Sequence, residues 1–127
     1  MSDLPVLRSA QVLVASSLFL SGWILAADFP VGTFSIDSAN PNVTFDGKGT
    51  FKVAQGDKPL VSGTYAAKGD RVVLTDLKGP WACTEAGEQT GSYRWKYDGS
   101  VLTFNKISDS CKDRVASLEG TKWTKQP

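Results

Sequence analysis

The chain has 127 residues, enough for one domain and too short for two ordinary ones. Its 41% hydrophobic and 21% charged residues are those of a globular protein, and a net charge of +1 offers no basic excess for nucleic acid. Histidine is absent, which excludes a Ser-His-Asp or Cys-His nucleophile, a His-ligated zinc site and a His-held haem.

Residues 1–27 stand apart. Asp3 and Arg8 are their only charges, and Val12 to Leu25 run without one before Ala26, Ala27 and Asp28. A short head, an apolar stretch and a small-residue exit are the order of a signal peptide. The stretch is about 14 residues, short of the roughly 20 that cross a bilayer core. The segment is therefore expected to be removed, or kept as an N-terminal anchor, with residues 28–127 as the folded domain. An exported chain belongs to the periplasm or the exterior. There Cys83 and Cys111, the chain's two cysteines, are expected to form a disulfide. Such a bond stabilises a fold of this size by about 2–4 kcal/mol.

Beyond residue 27, turn signals recur every ten residues or so with β-type runs between them. Strands are expected over 29–36, 43–45, 49–54, 60–68, 71–77, 92–97, 101–107 and 121–125, with a further short one over 81–84. Asn40-Pro41-Asn42, 55–59, Gly69-Asp70, Lys78-Gly79-Pro80 and the polar stretch 85–91 separate them. Asp46-Gly47 and Asp98-Gly99 have the composition of two-residue type I′ hairpins. Ser108-Asp109-Ser110 can cap a helix over 111–118, ended by Glu119-Gly120. Its positions Cys111, Val115 and Leu118 share one face.

The runs alternate with period two: Phe51 and Val53 against Lys52, Tyr93, Trp95 and Tyr97 against Arg94 and Lys96, Leu102 and Phe104 against Thr103. About eight short meandering strands with one dry face predict an all-β fold, a small antiparallel up-and-down barrel, with one short helix near the C-terminus.

The order Gly32-Thr33-Phe34, Gly63-Thr64-Tyr65, Gly91-Ser92-Tyr93-Arg94-Trp95 and Asp109-x-Cys111-x-x-Arg114 resembles that of the lipocalin-like (calycin) small barrels of exported bacterial proteins, over roughly residues 30–125. In that superfamily a Gly-x-Trp opens the first strand and a late Arg packs across the Trp to close the barrel. Here Phe34 stands at the Trp position and Arg114 is the late Arg. The resemblance implies a cation–π closure between them and a small apolar ligand in the barrel mouth.

The inner aromatics Tyr65, Tyr93, Trp95, Tyr97 and Phe104 are the candidate ligand-binding residues; the alternative is that they pack the core. Asp109, Asp113 and Arg114 can form an anion or acid/base site, or a helix cap with an ion pair. Lys52, Arg94, Lys96 and Lys106 alternate outward as a solvated face. Asp46, Asp70, Asp76 and Asp98 flank strands or sit in turns, with no calcium-loop spacing. Asn42-Val43-Thr44 fits the N-glycosylation acceptor pattern. The expectation is a monomeric, non-enzymatic barrel with no catalytic residue, cofactor or metal. Its partner would be a small apolar molecule or, alternatively, an envelope protein that it binds or inhibits.

Overall fold

The computed structural model describes residues 28–37 and 41–127. The expected export segment, residues 1–27, lies outside the described residues, as does Asn40 of the first break. Among the described residues eight strands form one closed barrel in sequence order. They are β1 (Gly32–Ser35), β2 (Asn42–Phe45), β3 (Thr50–Gln55), β4 (Lys58–Lys68), β5 (Arg71–Lys78), β6 (Thr90–Tyr97), β7 (Val101–Ser108) and β8 (Trp123–Lys125). Among the described residues one helix, α1 (Lys112–Leu118), precedes β8. Every neighbouring pair is antiparallel, and β1 with β8 closes the ring through Phe34 opposite Lys125 and Ser35 opposite Thr124. Closure leaves no unpaired sheet edge.

Alternation explains the interior. Val43 and Phe45, Phe51, Val72 and Leu74, Tyr93 and Trp95, and Leu102 and Phe104 all point inward and are buried, while Lys52, Arg94, Lys96 and Lys106 are exposed. Phe29 precedes β1 and does not pair as a strand residue. Its ring enters the barrel end instead, 4.8 Å from Phe45, 5.0 Å from Trp95 and 5.3 Å from Tyr65 between ring centroids. The first strand is correspondingly shorter than 29–36.

Two further expectations are corrected. Residues 81–84 form no strand; they belong to the long β5–β6 connection, where Asp76, Leu60 and Gly79 take up backbone donors that a strand would offer to a neighbour. The Asp-Gly pairs do not make two-residue hairpins. Their Asp carboxylates bond the backbone and hold wider loops: Asp46 Oδ1 accepts from the N–H groups of Lys48 and Thr50, and Asp98 Oδ1 from those of Ser100 and Val101. The tight two-residue turns fall at Gly56-Asp57 and Gly69-Asp70, where glycine takes φ of 60° and 61°.

Helix α1 packs beside β7. Cys111 is its N-cap, with the sulfur accepting from the Arg114 N–H; Asp109, two residues earlier, accepts from the Cys111 N–H. Arg114 and Leu118 are its buried positions, so a charged residue occupies the face expected for Val115.

Candidate functional site

The two ends of the barrel differ. At the end where β2 meets β3, the Phe29 ring and its neighbours fill the interior. At the other end, the β5–β6 connection and α1 stand over the strands, and a cavity of about 690 Å3 lies beneath them. Val43, Phe45, Phe51, Val53, Val61, Leu74, Leu118 and Trp123 supply its apolar wall. Trp81 and Ile36, both exposed, stand among its lining residues. A second hollow, about 830 Å3, is an open surface groove beside Trp95, Tyr97 and Lys122. It is the more open of the two.

The roof is held by a buried ionic cluster. Tyr93 stands on β6, Asp76 on β5, Asp109 between β7 and α1, and Arg114 on α1. The three Arg114 nitrogens reach five oxygens. Nε meets Asp109 Oδ2 at 2.7 Å, Nη2 meets Asp109 Oδ1 and the Glu88 carbonyl at 2.8 Å each, and Nη1 meets the Gln89 carbonyl at 3.2 Å and Asp76 Oδ2 at 3.1 Å. The Tyr93 hydroxyl donates to Asp109 Oδ2. Gly91 makes room: a Cβ there would lie 2.3 Å from Asp109 Oδ2. The backbone N–H of Cys83 donates to Asp76 Oδ2 at 2.8 Å. The Cys83–Cys111 disulfide then joins the β5–β6 connection to the start of α1, with a Cα separation of 6.2 Å. Cross-linking over 28 residues stabilises the roof by about 3 kcal/mol.

These contacts set the charges. Burial alone would raise the Asp109 carboxyl, but hydrogen bonds from Arg114 and then Tyr93 outweigh it and hold the carboxyl below its ordinary value. Burial, and then the Asp109 carboxylate, push the Tyr93 phenol far up, so it stays protonated. Burial would lower Arg114, yet Asp109 and Asp76 raise it further. A phenol held protonated and a guanidinium with every nitrogen committed describe a structural tie more than a proton-transfer apparatus.

The residues singled out in the sequence are distributed as follows. Tyr93 and Phe104 pack on each other in the core, at 6.1 Å between ring centroids, and Trp95 packs on Phe29. Tyr65 and Tyr97 are half-buried against that core; the Tyr65 hydroxyl accepts from the Gly47 N–H and the Tyr97 hydroxyl donates to the Gly99 carbonyl. None of these five lines the cavity under α1; Phe45, Phe51, Trp81 and Trp123 are its aromatic residues. Phe34 is fully buried, with Phe45 and Tyr97 as its ring neighbours, while Arg114 is engaged by carboxylates and carbonyls. Phe34 and Arg114, expected to stack on one another, do not appear among each other's partners. Asp109 and Arg114 come together as expected from the charged set; Asp113 is exposed and does not join them.

Asp76 is the member the sequence reading did not select. The available signal was its place in the alternation Val72, Leu74, Asp76, which sets a carboxylate on the inner face. Among the described residues no group of three His, Cys, Asp or Glu side chains is arranged to hold a metal ion. No helix among them is long and apolar enough to cross a membrane. No family model matches the chain, and neither a curated protein nor a solved structure matches it.

Proposed function

We propose that this chain is an exported, non-enzymatic, lipocalin-like barrel that binds a small apolar molecule in the cavity beneath α1. The cavity carries the proposal. At about 690 Å3 it falls within the roughly 300–1,000 Å3 of small-molecule sites, and its wall is mostly aliphatic and aromatic. An eight-stranded barrel has an interior just wide enough to be filled or to hold one small ligand, and here one end is filled and the other hollow. Export is supported by the signal-like pattern of residues 1–27 and by a disulfide suited to an oxidising compartment.

The test is displacement of Nile red by a panel of apolar molecules, with Val53→Trp as a cavity-filling control that keeps the fold by circular dichroism. Saturable displacement from the native protein and its loss in Val53→Trp is the expected result. Absence of saturable binding across the panel refutes the proposal. The second reading, a protein-interaction or inhibitor module, has its own support in Trp81 and Leu77, each 57% exposed near the same end. It gains ground if the panel fails and Trp81→Ala abolishes capture of an envelope protein.

A further inference from the structure

We infer that the cavity under α1 takes apolar molecules that carry a neutral hydrogen-bond acceptor, a ketone or ester carbonyl above all, and that this acceptor pairs with the indole N–H of Trp123. The inference rests on the ligand-binding reading above and names the polar feature its ligand carries.

Trp123 opens β8, lines the cavity and is 4% exposed. Its indole Nε1 is buried and has no hydrogen-bond partner among the described residues. An indole nitrogen can only donate, and a buried one ordinarily finds an acceptor. Left unpaired, it carries the desolvation cost of the group in full, and a ligand oxygen brought against it recovers that cost. Trp95 holds the other unpartnered buried indole N–H, but it stands beside the open groove and is not part of the cavity wall.

Arg114, the cation buried in the wall, is already committed. Its three nitrogens reach five protein oxygens. Trp123 is therefore the donor that the wall leaves to a ligand. Val43, Val53 and Val61 stand opposite one another across β2, β3 and β4, and with Leu74 they form an aliphatic surface for the ligand's body. A neutral carbonyl suits such a surround, because it pairs with an N–H without taking a charge out of water.

Two molecules of one carbon skeleton isolate the acceptor: methyl nonyl ketone and undecane, each displacing Nile red. The ketone-to-alkane affinity ratio should be about fivefold or more higher in the native protein than in Trp123→Phe, which keeps an aromatic ring and removes the N–H. Circular dichroism checks the fold of the variant. A second measurement uses the native protein and its assigned indole 15N–1H resonances. That of Trp123 should move downfield with the ketone, and further than with undecane, while that of Trp95 stays in place. A ratio equal in the native protein and a folded Trp123→Phe overturns the inference, as does a Trp123 resonance that the ketone moves no further than undecane does. If Trp123→Phe does not fold, the native resonance decides alone. If Nile red binds and the ketone does not displace it, the acceptor inference fails while the cavity stands. If Nile red itself does not bind, the ligand-binding reading fails first and takes the inference with it.

Discussion

The two ends of this barrel are built from the same alternating strands and reach opposite outcomes. At one end Phe29, Tyr65, Trp95 and Phe104 converge and pack ring against ring. At the other, Val43, Val53, Val61 and Leu74 stand beside Phe45, Phe51 and Trp123 around the cavity, and the cover is supplied from outside the sheet by α1 and the β5–β6 connection. The covers differ in kind as well. The Phe29 end is packed ring against ring, with the Tyr65 hydroxyl accepting from the Gly47 N–H at its edge. The hollow end is tied by Arg114, two buried carboxylates and a disulfide, so its stability depends on charge and redox state. A cover built this way can stand over a cavity because its strength does not come from filling the space below.

The largest effect should follow from Arg114→Ala. It leaves Asp76 and Asp109 buried without their cation, which costs about 3–5 kcal/mol. Chemical denaturation should show this loss, and ligand displacement at the hollow end should weaken together with it. Phe29→Ala removes the plug and should cost about 3 kcal/mol, since truncating a buried Phe leaves a void among packed rings. The sharper readout is spatial: Trp95 fluorescence should change, whereas binding under α1 should persist. If Phe29→Ala instead abolishes that binding, the two ends are not independent.

The smallest effect is on pH dependence. Asp109 is held below the ordinary carboxylate value in the folded protein. Its contribution to stability is therefore present above the unfolded value of about 4 and is lost as pH falls through the folded value. Asp46, exposed in the β2–β3 loop, is lowered to about 2 by its bonds to Thr50 and Lys48 and acts in the same direction between about pH 4 and 2. Thermal melts should fall below pH 4, and Asp46→Asn should flatten the slope only slightly. A melting temperature independent of pH from 5 to 2 would contradict both assignments.

Much of this was legible along the chain. Period-two alternation identified the inner face of β3, β6 and β7, Gly and Asp marked the turns, and Cys111 to Leu118 carried a helix pattern between recognisable cap and stop residues. Those features depend on residues near one another in sequence. The order of strands around the barrel follows from them too, because each hairpin joins neighbours. The wider Asp46 and Asp98 loops were harder to read, since the same Asp-Gly pair serves a two-residue turn or a carboxylate-capped loop. Trp81 looked like strand for its residue type, but no neighbour in the barrel was left to pair with it.

The sequence by itself therefore determined the β architecture, the helix before β8 and the cysteines available for a bond. Tertiary structure alone decided that Phe29 is a plug, that Asp76 meets Arg114 across the roof, and that the aromatic row Tyr93, Trp95 and Phe104 is core while the hollow lies elsewhere. The physical reason is that alternation says which face a side chain takes, whereas filled or empty space depends on volumes arriving from eight strands and a helix at one level of the barrel.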